Sequence, residues 1–196
     1  MSCLLPPEVW SLILQQLPGP SLCSVRLVCR HFRELTQDPA LWRHVTLSRE
    51  AIQRLGLHNL LDNQRLARVT RLDLSYLDLT EASRESLLRL MERFEAVYMR
   101  YCNLSQQQLS SIVSRLASSA TSQLREVSLD SICLTSIPVE SLTRAVTSRQ
   151  RINLNNTGLS ASQLNSVLIH SPSSHLQSLV LSGVDMSQAG PFTSAI

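Results

Sequence analysis

Aromatic side chains are scarce in this chain: Phe, Tyr and Trp make up only 4% of it, although apolar residues as a whole reach 43%. A core must then come mostly from Leu, Val, Ile and Ala, which suits small repeated units better than a sandwich built around large rings. Glycine is also sparse, at five residues, which leaves little means of building a phosphate-cradling loop. The five cysteines, Cys3, Cys23, Cys29, Cys102 and Cys133, are odd in number and lack the close pairs a structural zinc site needs. A reducing interior is the expected setting. Cys29 is expected to be buried, and Cys102 and Cys133 to fill turns where a small apolar residue fits. Eighteen basic against fifteen acidic residues give a net charge of +3 with no long run of either sign, so no stripe exists to track a phosphate backbone and no nucleic-acid partner is expected. The chain has neither a basic start followed by an apolar run nor an apolar stretch of membrane-spanning length. A soluble protein of the cytoplasm or nucleus, with no membrane partner, is the expectation. His31, His44, His58, His170 and His175 are scattered, and the many serines have no matched base, so no catalytic residue, metal or cofactor is expected.

Leucine is plentiful, and its spacing is regular. From Trp42 onward the chain fits the pattern L-x-x-L-x-L-x-x-x-x-L six times. The alternating pairs are Val45 and Leu47, Leu72 and Leu74, Val97 and Met99, Val127 and Leu129, Ile152 and Leu154, and Leu179 and Leu181. A further apolar residue follows each pair five positions on, at Ile52, Leu79, Leu104, Leu134, Leu159 and Met186. Alternation puts both members of a pair on one face of a short strand, and the later residue turns the chain back beneath it. Recurrence at this offset marks leucine-rich repeats, in which stacked neighbours bury a face that one unit could not.

A helix N-cap type stands directly after the last apolar position at Thr80, Ser105, Thr135, Ser160 and Ser187. Ser160 with Gln163 has capping-box spacing. The pattern predicts helices over 81–94, 106–117, 137–146 and 161–169, with Pro138 in the first turn of the third. The fold class is therefore α/β: a short solenoid over residues 46–196 with parallel strands on a concave face and helices on a convex one. Few residues follow Met186 and Gly190-Pro191 interrupts them, so the last repeat reads as incomplete and weakly held, as in a truncated form or fragment.

Residues 1–45 break the repeat. Pro6, Pro7 and Glu8 make a helix start, because proline suits the first helical position and a carboxylate the positive end of the dipole. Val9, Leu12, Ile13 and Leu17 form an apolar stripe. Pro18-Gly19-Pro20 ends that helix, and Ser21 is placed to cap a second, with a break near Cys29. So small a helical module has little core of its own, so part of its apolar surface should meet a partner or the first repeat.

The order Leu5-Pro6-Pro7-Glu8-Val9, Ile13, Leu17, Leu22, Val28-Cys29-Arg30, Phe32, Leu35 and Leu41-Trp42 resembles an F-box. An F-box followed by leucine-rich repeats resembles the F-box and leucine-rich-repeat family of substrate receptors. Phe32 departs from the tryptophan frequent there, and Pro18-Gly19-Pro20 is stiffer than the usual link. The resemblance implies a non-catalytic subunit of an SCF-type ubiquitin ligase, docked through a Skp-type adaptor onto a cullin-RING core, with a protein substrate held by the repeats. It assigns adaptor contact to Leu5, Pro6, Val9, Ile13, Leu17, Leu22 and Val28, whose alternative role is packing between the helices.

Strand alternation assigns the substrate surface to Arg71, Asp73, Tyr76, Tyr98, Arg100, Tyr101, Glu126, Asp130, Arg151, Asn153 and Asn155, whose alternative is an ordinary solvated face. Arg151 and the nearby asparagines could equally form a hydrogen-bonded row. A repeat scaffold or inhibitor that binds a protein without any ligase is the competing function.

Overall fold

Pro6 opens the first helix as its N-cap, and the chain runs α1 (Pro7–Leu14), α2 (Gly19–Val28) and α3 (Arg30–Leu35) before a 3-10 turn at Pro39–Trp42. The computed structural model describes residues 5–17, 19–62, 66–118, 123–169 and 176–183. Gly19 begins α2, so Ser21 is inside the helix and does not cap it. The break expected near Cys29 is present, because Cys29 is extended (φ −158°, ψ 170°) between α2 and α3. Its side chain is exposed, however. The buried place in α2 goes to Leu22, in its first turn, which packs with Leu14 and Leu41. The Trp42 indole closes the module by donating to the Thr36 carbonyl at 2.8 Å.

Each alternating pair then contributes a three-residue strand: β1 (His44–Thr46), β2 (Arg71–Asp73), β3 (Ala96–Tyr98), β4 (Glu126–Ser128), β5 (Arg151–Asn153) and β6 (Ser178–Val180). All pair in parallel, in chain order. Register is unshifted throughout, so Val45, Leu72, Val97, Val127, Ile152 and Leu179 form one row across the sheet. Parallel neighbours need a crossover, and helices provide it. They are α4 (Arg49–Leu61), α5 (Arg84–Arg93), α6 (Gln106–Leu116), α7 (Val139–Thr147) and α8 (Ala161–Ile169).

One continuous cluster fills the space between strands and helices, with Leu72, Leu74, Leu90, Phe94, Val97, Met99, Ile112 and Leu134 essentially inaccessible. A second ladder continues the sheet through the turns. Tyr76, Tyr101, Ser131 and Asn156 all have positive φ, as does Gly183, each three residues past its strand. The N–H groups of Tyr76, Tyr101, Ser131 and Asn156 donate to the carbonyls of Arg100, Asp130, Asn155 and Ser182 in the next unit. A left-handed conformation costs a non-glycine residue roughly 1 kcal/mol, and the repeated inter-unit bond offsets it at each step.

The helix starts depart from expectation at three of the units. Ser105 caps α6 in a full capping box with Gln108, and Ser160 exchanges the equivalent bonds with Gln163 at the head of α8. Thr80 does not cap α5. Its hydroxyl donates to Asp78 at 2.7 Å within the turn, and Ser83 takes the cap. Thr135 is likewise a turn residue, its hydroxyl 3.2 Å from the Cys133 thiol, and Pro138 is the N-cap of α7. Ile52, expected in a turn, lies inside α4, a helix capped by Ser48 and broken by Gly56 at φ +70°. Cys102 is buried as expected, whereas Cys133, one position further along its turn, is exposed. Ser187, Met186 and Gly190-Pro191 fall outside the described residues.

Two polar side chains tie consecutive units together. Gln108 Nε2 donates to the carbonyls of Leu79, Thr80 and Ala82, and the Arg149 guanidinium donates to those of Leu116 and Leu124. Each adds a side-chain donor to buried carbonyls, Leu79 also accepting from the Ala82 N–H and Leu116 from the Ser148 hydroxyl. Burial holds the Arg149 guanidinium pKa down at about 10.

Candidate functional surfaces

Exposed apolar side chains concentrate in the N-terminal helices. Among the described residues, Leu5, Val9, Leu12, Ile13, Leu27 and Val28 account for half of the large hydrophobics left open to solvent. Helix geometry explains the split in α1. Leu14 turns inward, Trp10 meets Phe32 edge-on at 4.9 Å, and Val9, Leu12 and Ile13 are left on the outer side. The expected stripe therefore exists but faces solvent at three of its four positions, with Leu17 partly packed on the buried leucines.

Of the residues assigned to adaptor contact, Leu5, Pro6, Val9, Ile13 and Val28 are accessible. Leu22 is not: it is 1% exposed and its position is a packing one. Leu12 and Leu27, left out of that set, are exposed, Leu27 at 79%. A Leu27-Val28 pair at the end of a helix that already buries Leu22 was the available signal.

The second surface is the outward face of the sheet. Register brings Asp73, Tyr98, Ser128 and Asn153 into one row and Arg71, Glu126 and Arg151 into the neighbouring one. Arg71 is exposed, but Asp73 is nearly enclosed, against the expectation of a solvated side chain. Its carboxylate accepts from the Ser75 N–H at 2.9 Å and pairs with Arg100 at 3.5 Å, so a cation from the next strand covers it. Tyr98 is half-buried, and burial followed by the Glu126 carboxylate pushes its phenol up to about 12, so it is a neutral donor at physiological pH.

Tyr76 and Tyr101 stack at 5.1 Å with their planes 6° apart, both largely exposed at the edge of this face. Asn153 Oδ1 accepts from the Asn155 N–H at 2.9 Å, a bond within one turn rather than a row along the stack, while Asn155 Oδ1 is buried without a partner. Asp130 is half-buried and takes the Ser131 hydroxyl at 2.9 Å. Between Tyr98, Glu126, Ser128, Arg151 and Asn153 lies an open cavity of about 240 Å³.

Among the described residues no three His, Cys, Asp or Glu side chains converge as metal ligands, and no helix is long and apolar enough to cross a membrane. Burial raises the Cys102 thiol to about 11, and its Sγ donates to the Leu74 carbonyl at 2.9 Å. That thiol is a packing group.

Residues 2–48 match the family model described as F-box-like. The match spans the three N-terminal helices and β1, and so includes every one of the exposed leucines, valines and isoleucines of the first surface. No curated protein matches the chain.

Proposed function

We propose that the chain is a substrate-recognition subunit of an SCF-type ubiquitin ligase, with residues 1–45 as an F-box module and residues 46–196 as leucine-rich repeats. The observation that carries this reading is the coincidence of the F-box-like match with the densest exposed apolar surface of the described chain. A small helical module that leaves Val9, Leu12, Ile13, Leu27 and Val28 in water holds apolar area whose burial against a partner is favourable, about 25 cal/mol for each Å². A Skp-type adaptor is that partner, and through it a cullin-RING core.

The parallel sheet face, with Arg71, Asp73, Tyr76, Tyr98, Arg100, Tyr101, Arg151, Asn153 and Asn155, receives a protein substrate. The receptor makes and breaks no bonds. Its contribution is effective concentration, holding a substrate lysine close to the charged conjugating enzyme. The cytoplasm and nucleus are the compartments where that machinery works.

A pull-down of the full chain with a Skp-type adaptor tests the reading. The wild-type chain is expected to bind, and Val9→Asp with Ile13→Asp and Val28→Asp to lose binding with an unchanged melting curve. Retained binding in the triple variant would place the interface elsewhere. An adaptor that ignores the wild-type chain would favour a ligase-independent repeat scaffold.

A further inference from the structure

In the cavity on the sheet face the carboxylates are already engaged, and the unengaged polar groups are donors. Asp73 is held by the Ser75 N–H and Arg100, and Glu126 lies by the Tyr98 phenol and opposite Arg151 in the register. Ser128, by contrast, is 4% exposed and its hydroxyl has no hydrogen-bond partner. Asn153 has committed its Oδ1 to the Asn155 N–H, which leaves the amide Nδ2. Arg151 is exposed and makes no ion pair among the described residues.

Register gathers these three groups. Ser128 lies opposite Asn153, and Arg151 precedes Asn153 by two residues on the same face. Neighbouring strands stand about 4.8 Å apart and same-face residues roughly 6.7 Å, so one small anionic group can meet all three.

We propose that this cavity binds the carboxylate of an Asp or Glu side chain presented by a partner protein. This deepens the substrate-receptor reading and rests on it for the partner's role. Arg151 supplies a forked cationic donor, Asn153 an N–H and Ser128 an O–H, together enough for both carboxylate oxygens. Charge selects a monoanion. Glu126 stands opposite Arg151 and Arg71 lies in the same row, so Arg71, Arg100 and Arg151 against Asp73 and Glu126 leave one positive charge over, which a single carboxylate balances and a phosphate dianion exceeds.

The test is an NMR titration of the ¹⁵N-labelled full chain with the capped amino acid N-acetyl-glutamate methylamide. Signals of Ser128, Asn153 and the Arg151 Nε–H are expected to shift together. The glutamine analogue should need roughly tenfold more ligand for the same shift, as should Arg151→Gln titrated with the glutamate probe, since a charge-assisted hydrogen bond is lost. Ser128→Ala should fold at least as stably and bind more weakly, a pair of outcomes that separates a binding hydroxyl from a packing one. Equal response to the glutamine analogue, tighter binding of the phosphoserine counterpart, or shifts away from these residues would overturn the proposal. Adaptor binding by the same variants is read separately and is expected to be unchanged. An adaptor that ignores the wild-type chain sinks the receptor reading, while the titration still judges the cavity.

A different observation carries a second inference. These 196 residues contain no lysine, and all eighteen basic residues are arginine. Lysine is ordinarily among the commonest residues. Arginine is favoured where its planar fork makes paired hydrogen bonds, yet Arg26, Arg54, Arg84, Arg125 and Arg144 are exposed without an ion pair among the described residues. A lysine would serve the fold equally well there.

We infer that, as a ligase receptor, this chain is protected from the modification it directs onto its substrate. In that reaction a lysine Nζ attacks the carbonyl of the ubiquitin thioester; the C–N bond forms, the C–S bond breaks, the enzyme thiolate departs and the amine proton passes to solvent. A guanidinium stays protonated and delocalised at any working pH and is no nucleophile. Tethered in the same complex as the charged enzyme, the receptor offers no side-chain amine.

Reconstitution of the full chain with adaptor, cullin-RING core, conjugating enzyme and ubiquitin tests this. With its N-terminal amine acetylated, the wild-type chain should gain no hydroxylamine-resistant ubiquitin over a period in which equally acetylated Arg54→Lys, Arg84→Lys and Arg144→Lys each become modified. Equal modification of the wild-type chain, or unmodified lysine variants while free ubiquitin chains accumulate, would overturn it. Failure of the adaptor to co-purify marks the failure of the receptor reading and removes this inference with it.

Discussion

In the N-terminal module three leucines, Leu14, Leu22 and Leu41, form the buried cluster among the described residues, while Leu12, Leu27 and Val28 face water. From Leu47 onward a single cluster runs unbroken through five crossovers, and its apolar residues are almost all hidden. Similar side chains thus serve two ends. In the repeating part a leucine is matched by a leucine from the next unit, so burial is completed within the chain. In the helical module there is no next unit, and the remaining apolar surface stays open for something else to cover. The contrast between a region finished by itself and one left unfinished supports docking more strongly than the composition of either.

The largest effect expected from breaking the contrast lies in the repeats. Phe94→Ala empties the centre of the continuous cluster, where Phe94 is 0% exposed, and should cost about 3–5 kcal/mol, read as a large fall in Tm by calorimetry. Leu22→Ala removes one of the three buried leucines among the described residues of the module and should cost about 2 kcal/mol, at the low end for such changes because a small cluster collapses readily. Its partner experiment, Leu27→Ala, should leave the melting curve in place, since that side chain is already in water. If the two leucine variants melted alike, the division into packing and docking faces would be wrong.

Ser105→Ala strips the capping box from α6 and should cost about 1 kcal/mol, measured by urea titration. The smallest effect concerns acid. Asp62 at the end of α4 pairs with Arg89 of α5, and that hydrogen bond holds its carboxyl below the usual 3.8. A depressed folded value means that its contribution is complete above the unfolded pKa and disappears as the pH falls through the folded one. Asp62→Asn should therefore lower Tm slightly at neutral pH, and the difference from wild type should vanish in strong acid.

Alternation in the sequence located all six strands, because a two-residue period with one apolar face has a single way to meet a parallel neighbour. Helices α6 and α8 were legible for a similar reason, since Ser105 and Ser160 each have a glutamine three residues on to close the box. Thr80 and Thr135 misled because a hydroxyl satisfies a turn as readily as a helix end, and the choice is made by how far the chain must travel before it can pack. The crossover after β1 was hidden by Gly56, whose positive φ splits the helix.

For the sheet face, alternation named the right side but not the enclosure of Asp73, which depends on Arg100 arriving from the following unit. Leu22 and Leu27 could not be told apart by sequence, because a short amphipathic helix does not state which face meets its own chain and which meets another. Cys29 and Cys133 were read as interior from their size, yet Cys29 is the extended, exposed link between two helices and Cys133 stands one position off the buried Ile132 and Leu134.

The unshifted register of the sheet makes the protein a ruler as well as a scaffold. Every unit advances the face by one strand spacing, roughly 4.8 Å, whatever the length of its crossover. The longer interval before β4 is taken up outside the strands and leaves no mark on the graduations. Whole units could then be removed or added in steps of that size, the face growing shorter or longer while each remaining side chain keeps its place relative to its neighbours. The length of that face is thus set by the number of units, and its chemistry by what each unit displays, so the two can change separately.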